Sequence, residues 1–175
     1  TDFLTGAYNL RTFYELAHHE QSRLARNGGD LGLVVMDLDH FKDINDSLGH
    51  ATGDEALRKF VGVVKENLRE QDIFARAGGD EFRLLLPDTS VEGAHLVAER
   101  IRKAVNQVVL NNPRGLVRLS ISCGIARCLP DDEGLRVLLA VPTPGGVEHP
   151  GLAGCAARDA EEVRDPDVFG REFGF

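Results

Sequence analysis

The run Leu31-Gly-Leu-Val-Val-Met36 is apolar at every position and stops abruptly at Asp37-Leu38-Asp39. A continuous apolar run of this length fits a strand buried on both faces, so packing elements must cover each side of it. Segments on either side of the run supply them. Tyr8 to Arg26 reads as a helix, with Phe13, Leu16 and Leu24 on one side and Asn9 as its cap, and Asn27-Gly28-Gly29-Asp30 ends it. Beyond Asp39 the spacing predicts a short helix from Phe41 to Leu48, broken by Gly49. A longer helix is predicted from about Gly53 to Leu68, with Ala56, Leu57, Phe60, Val63, Val64 and Leu68 at helical spacing.

Ile73 to Arg76 and Phe82 to Leu86 read as two strands joined by the tight turn Gly78-Gly79, a β-hairpin. Val91 to Val109 reads as a further amphipathic helix. Leu116 to Ala126 alternates like a single strand, with Val117, Leu119, Ile121 and Cys123 on one face. The resulting core, βαββαβ, resembles a ferredoxin-like palm, an α+β arrangement with helices flanking a mostly antiparallel central sheet. In such a palm the end of the first strand can lie beside the hairpin turn. Asp37 and Asp80 would then face each other although 43 positions separate them. After about Ala140 the text changes: 141–151 holds three of the chain's seven prolines, and no helical or strand periodicity continues to Phe175. That segment is expected to be an irregular, poorly ordered tail to one domain spanning residues 1–140.

Composition narrows the function classes. An apolar fraction of 42% over 175 residues suits one globular domain. No apolar run is long enough to cross a bilayer, so no direct membrane contact is expected. The chain starts at Thr1 without a leader pattern, which suggests a piece of a longer protein working in the cytoplasm. A net charge of −8 argues against a nucleic-acid backbone binder. An acidic chain can still take a nucleotide when a divalent cation screens the phosphates. Cys123, Cys128 and Cys155 form no metal-ligand pair and read as incidental thiols of a reducing compartment, and most of the six histidines read as surface residues.

Nucleotidyl transfer needs a divalent cation held by carboxylates on rigid strand ends. Asp37 ends the buried strand and Asp80-Glu81 sit on a glycine turn, which is that pattern. A lone acidic loop residue is more often a solvated charge, but here two acidic clusters each follow an apolar strand. Larger blocks sharpen the reading. Gly78-Gly79-Asp80-Glu81-Phe82 is the GGDEF signature, Asp2-Phe-Leu-Thr-Gly6 with Asn9, Arg11 and Phe13 resembles that family's opening DxLTGLxNRRxF, and Asp37-Leu-Asp-His-Phe-Lys-Asp-Ile-Asn45 through Gly49-His50 and Gly53-Asp54 resembles its DxDxFKxxND…GHxxGD block. Three blocks in order identify residues 1–139 as resembling a GGDEF domain, the catalytic module of diguanylate cyclases.

The resemblance implies a nucleotidyl-cyclase palm and a reaction in which two GTP condense to cyclic di-GMP and two pyrophosphates, each subunit of a homodimer holding one GTP. It implies that Asp37, the Leu38 carbonyl and Asp80 hold magnesium or manganese. Asp80, with Glu81, would help deprotonate the attacking hydroxyl. Phe41 and Lys42 would contact the triphosphate, the latter also assisting catalysis. Asn45 and Asp54 would read guanine, with His50 beside the ribose, and Gly78 and Gly79 would let the substrate approach. Phe41 also reads as core and Lys42 as a solvated helix residue. Arg69-Glu-Gln-Asp72, five residues before Gly78, resembles the family's RxxD inhibitory site, with Arg100 as its further arginine. The bland alternative there is an i,i+3 ion pair. The resemblance also implies an upstream sensor domain.

Two departures stand out. Leu10 replaces the family's usual first arginine after Asn9, and the closing ALYxAKxxGRN segment, whose Lys and Arg grip phosphate, has no counterpart after Leu135-Arg-Val-Leu-Leu-Ala140. The alternative to a cyclase is therefore a catalytically impaired module that binds GTP or cyclic di-GMP as a receptor. A P-loop or Rossmann binder is a poor third reading, because neither GxxxxGK[ST] nor GxGxxG follows the first strand.

Overall fold

The computed structural model describes residues 1–128 and the backbone of 161–163. Leu135 to Ala140 and nearly all of the Pro/Gly-rich tail lie outside the described residues. The elements follow in order: β1 (Tyr8–Asn9), α1 (Leu10–Asn27), β2 (Leu31–Leu38), α2 (Phe41–Leu48), α3 (His50–Glu66), β3 (Ile73–Gly78), β4 (Glu81–Pro87), α4 (Val91–Val105), β5 (Val109–Asn112), β6 (Gly115–Arg118), β7 (Ile121–Arg127) and β8 (Glu161–Val163).

The main sheet runs β1-β3-β4-β2-β7-β8, antiparallel except for the β1–β3 pair. Its centre, β3-β4-β2-β7, places the hairpin's second strand between β2 and β3, which is the split-βαβ order of the palm read from sequence. The apolar run is the middle of this sheet. Val34, Met36 and Leu38 point into a core shared with α3 and α4, whereas Leu31, Leu33 and Val35 point into a second core beneath Phe13, Ala17 and Leu24 of α1. Gly32 lies under α4, where a Cβ would meet that of Ala94 at 3.0 Å.

Local chemistry sets the helix ends. The Asn9 side chain caps α1 by accepting the Thr12 N–H at 2.9 Å, as its position predicts. Ser90 caps α4 by accepting the Gly93 N–H at 3.2 Å. His40, in the left-handed region at φ +57°, turns the chain from β2 into α2 within two residues.

The structure corrects four sequence expectations. The helix expected from Gly53 begins at His50, and the helix expected to reach Val109 stops at Val105. The single strand expected over Leu116 to Ala126 is two: β6 folds back on β5 as a separate hairpin, and only β7 joins the main sheet. Alternation persists across the break because Leu119 is buried like its neighbours Ile121 and Cys123. Glu161–Val163, read as irregular, pair antiparallel with β7 at Ile125 to Cys123. Cys123 and Cys128 are buried free thiols, and burial pushes the Cys123 thiol up to about 12, which keeps it protonated and inert. Of the described histidines, His95 alone is half-buried and the others are exposed.

Phe60 of α3, Phe74 of β3 and Phe82 of β4 form one aromatic cluster beneath the hairpin. Phe60 meets Phe82 edge-on at 4.7 Å between ring centroids, and Phe74 stacks on Phe82 at 5.4 Å. The last letter of the GGDEF sequence is thus a fully buried core residue. Phe82→Ala is expected to lower the unfolding free energy by about 3–5 kcal/mol, the usual cost of truncating a buried Phe. Urea denaturation checks this, and a loss below about 1 kcal/mol would contradict the packing described.

Candidate active site

Asp37 lies at the end of β2, opposite Glu81 on β4 and Ser122 on β7. Cross-strand partners share a face, so Asp37 and Glu81 are brought side by side. The turn of the β3–β4 hairpin docks against the same strand end, where the Leu38 N–H donates to the Asp80 carbonyl at 3.3 Å. The juxtaposition of Asp37 and Asp80 expected from the palm is therefore present. Gly79 makes the turn at φ +51°, a conformation that favours glycine, and nothing lies within 4 Å of a Cβ at Gly78 or Gly79. The space above the turn is open for a ligand.

The electrostatics of this corner are unfavourable without a cation. Burial, then the charges of Asp80, Glu81 and Asp39, raise the Asp37 carboxyl to about 7. Asp39 accepts a hydrogen bond from Ser122 Oγ at 2.7 Å, but its Oδ2 is buried without a partner. Among the described residues no three carboxylate, imidazole or thiolate side chains gather closely enough to hold a metal by themselves. The acidic side chains that act on one another at this strand end, Asp37, Asp39, Asp80 and Glu81, offer only hard oxygen donors. That suits an ion which keeps waters and takes further ligands from substrate phosphates, as magnesium does.

Phe41, Lys42, Asn45, His50 and Asp54 lie along α2 and the start of α3. No side chain caps α2, which leaves first-turn N–H groups beside the strand end available to an anion. The Phe41 ring packs on the core while Lys42 is exposed, so the core reading of Phe41 holds for its side chain. Asn45 is half-buried and His50 exposed. Asp54 is about half exposed, with the Arg58 guanidinium 4.0 Å away.

Arg69 and Asp72 do not form the simple ion pair of the bland reading. Asp72 Oδ2 accepts the backbone N–H of Arg69 at 2.8 Å, and Oδ1 is buried without a partner. Burial raises the Asp72 carboxyl, against the Arg69 hydrogen bond and the charges of Arg69 and Arg100. Arg100 donates to the Asn67 carbonyl at 2.7 Å, which brings all three residues to one region. An open pocket of about 490 Å³ adjoins Arg69 and Asp72 and is lined also by Tyr8, Lys65, Leu68 and Phe74.

A family model described as "Diguanylate cyclase, GGDEF domain" matches residues 1–140. The chain belongs to the GGDEF family. Diguanylate cyclase DgcP of Pseudomonas aeruginosa is 47% identical over 134 residues, which cover 77% of this chain and 20% of that protein. Probable diguanylate cyclase DgcC of Escherichia coli is 37% identical, over 74% of this chain and 34% of that one. This chain thus spans about a fifth to a third of the length of these relatives. Among solved structures, the GGDEF domain of DgcB from Caulobacter crescentus in complex with c-di-GMP superposes with a TM-score of 0.76 at 28% identity, covering 81% of this chain and 84% of that one. Diguanylate cyclase SiaD from Pseudomonas aeruginosa, solved with its activator SiaC, gives 0.75 at 33% identity, covering 79% and 53%.

Within this GGDEF domain, sequence reasoning missed Arg76. Its Nε and Nη2 both donate to the Gly79 carbonyl, at 2.9 and 2.7 Å, while Nη1 reaches Asp2 Oδ1 at 3.2 Å. One guanidinium therefore fixes the signature turn and ties it to the opening turn of the chain. The signal was a basic residue at the end of β3 and an aspartate outside any helix, with 74 positions between them. Asp2 also accepts the Thr5 N–H at 3.0 Å and the Thr5 hydroxyl at 2.6 Å. Burial pulls the Asp2 carboxyl upward, but the Thr5 hydrogen bonds and Arg76 outweigh it and hold the carboxyl below its usual range. A carboxyl lowered by folding contributes stability above its unfolded value, about 3.9, and loses it as pH falls through the folded value. Asp2→Asn should cost about 1 kcal/mol near pH 7. The gap to the unaltered chain should close on acidification below about pH 4. Urea titrations from pH 7 to pH 3 measure it; a gap that widens on acidification would contradict this account.

Proposed function

We propose that this domain condenses two GTP into cyclic di-GMP with release of pyrophosphate, one GTP bound by each copy of a homodimer. The observation that carries the reading is the strained acidic corner: Asp37, Asp39, Asp80 and Glu81 share one strand end, and the Asp37 carboxyl is raised to about 7 by burial and by the other three. A protein retains such a repulsive cluster where a cation and phosphates complete it. When bound, a divalent ion, magnesium or manganese, would neutralise triphosphate charge and acidify the attacking 3′-hydroxyl.

In this reading Asp37, the Leu38 carbonyl and Asp80 hold the ion. Asp80, assisted by Glu81, accepts the single 3′-hydroxyl proton as that oxygen bonds to the α-phosphorus of the GTP on the partner copy and the bond to the leaving pyrophosphate breaks. The uncapped start of α2, with Lys42, holds the triphosphate. Asn45 and Asp54 hydrogen-bond the guanine edge, with His50 beside the ribose. Gly78 and Gly79 leave the approach clear. Arg69, Asp72 and Arg100 form a product-inhibition site for cyclic di-GMP, supported by the unpartnered Asp72 oxygen and the adjoining pocket. Relatives that extend well beyond the matched region make an upstream sensor domain in the full-length protein a reasonable expectation.

The second reading, a receptor that binds GTP or cyclic di-GMP without turnover, is favoured by the sequence after Ala140, where the AK and GRN elements are missing. Incubation of the chain with GTP and magnesium, followed by chromatography for cyclic di-GMP and pyrophosphate, separates the two. Turnover is expected, and Asp80→Asn should reduce it at least a hundredfold with an unchanged melting temperature, because a neutral amide replaces a metal-ligating anion on an exposed turn, a loss on the order of 3 kcal/mol or more. An absence of product from the unaltered chain would reject the cyclase reading. Arg69→Ala should relieve product inhibition, or remove cyclic di-GMP binding measured by calorimetry; equal affinity in both proteins would reduce the Arg69 motif to surface charges.

A further inference from the structure

The corner between α2 and α3 carries the residues proposed above to read guanine, and it is gripped by an element with no part in that proposal. The β5–β6 hairpin stands apart from the main sheet and leans on this corner. Asn112 Nδ2 donates to Thr52 Oγ1 at 2.9 Å, and Thr52 Oγ1 donates in turn to the Leu48 carbonyl at 3.1 Å. The Arg114 guanidinium donates to the Ser47 carbonyl. At the root of the hairpin Lys59 Nζ donates to the Val109 carbonyl at 3.3 Å.

The chemistry of these contacts is that of a clamp. Thr52 is the one buried polar or charged residue among the described residues. Its hydroxyl has one proton to give, to Leu48, and receives one from Asn112, so removing either partner leaves a buried polar atom short of its bond. Asn112 Oδ1 accepts the Arg114 N–H at 2.9 Å, which fixes the orientation of the donating amide. Arg114 places a cation on a carbonyl in the last turn of α2, where the helix has unpaired acceptors. The corner it holds has no slack. A Cβ on Gly53 would lie 2.0 Å from Asn45 Oδ1, so the Asn45 side chain rests directly against the backbone of α3. Any shift of α3 relative to α2 therefore moves Asn45, and with it the spacing between Asn45 and Asp54.

We infer that the β5–β6 hairpin is a specificity brace: Asn112, acting through Thr52, and Arg114, acting through the Ser47 carbonyl, hold Asn45 and Asp54 at the separation that matches guanine. These are positioning residues, and none touches the nucleotide. The inference rests on the assignment of Asn45 and Asp54 as base readers. Hydrogen-bond readout of a base depends on placement to within a fraction of an ångström, so loss of the brace should cost selectivity before it costs folding.

The test uses the full chain with magnesium and the probes 3′-deoxyguanosine and 3′-deoxyinosine triphosphate, which cannot cyclise and differ by the exocyclic amine. Calorimetry gives both affinities for the unaltered chain and for the variants Asp54→Ala, Asn112→Ala, Thr52→Val, Arg114→Ala and Arg114→Lys, and thermal melts run alongside. The unaltered chain should prefer the guanine probe. Asn112→Ala and Thr52→Val should each lose about tenfold of that preference, the double variant should lose no more than either single one, and Arg114→Lys should retain more of it than Arg114→Ala. Full preference in all the hairpin variants, with its loss in Asp54→Ala, overturns the brace and leaves the base-reader assignment standing. Equal loss of affinity for both probes, in step with a lowered melting temperature, also overturns it. No preference in the unaltered chain removes the base-reader assignment and the brace with it.

Discussion

The seven-position pairing of β2 with β4 is the constraint on which the rest depends. A slip of one residue would turn Val34, Met36 and Leu38 out of one core and Leu31, Leu33 and Val35 out of the other. Because both faces of β2 are buried, neither slip direction is tolerable, and the register is fixed by two cores instead of one. That register places Asp37 opposite Glu81 and the Leu38 N–H against the Asp80 carbonyl. The chemistry-bearing end of the sheet is thus positioned by apolar packing along the strands.

Packing brings the carboxylates together, and a second set of interactions holds the turn that carries them. The Arg76 guanidinium spends two of its donors on a single carbonyl, that of Gly79, and a third on Asp2. Arginine suits this post because its planar fork binds two acceptors at fixed angles, which a lysine cannot do. The opening turn of the domain and the signature turn are consequently one mechanical unit, although 74 positions separate Asp2 from Arg76.

Much of this was legible in the sequence, for reasons specific to particular residues. The apolar run from Leu31 announced a two-sided strand, Asn9 announced a cap, and Gly78-Gly79 announced the hairpin turn. The nearness of Asp37 to Asp80 and Glu81 was legible because Asp37 ends the buried strand and the other two follow the hairpin's glycine turn. What escaped depends on contacts distant in sequence. The break at Leu119 and Ser120 was invisible because burial continues through it: the Leu119 N–H bonds the Val108 carbonyl while Ile121 opposite Leu38 begins the main-sheet strand. Nothing in the local text of Arg76, Asn112 or Arg114 distinguishes them from solvated residues, and their partners lie 74, 60 and 67 positions away.

The burial of Phe82 only two residues from Asp80 has a consequence for how such a domain can change. Asp80 and Glu81 face a water-accessible corner where their removal would relieve repulsion, whereas Phe82 is wedged between Phe60 and Phe74 in the core. Exchange of both acids would cost little stability and would relieve their repulsion of Asp37, but the aromatic ring would have to stay. A signature decayed at its acidic letters and intact at its last one would thus mark a domain that still folds, and loss of the ring would mark a domain on its way to unfolding.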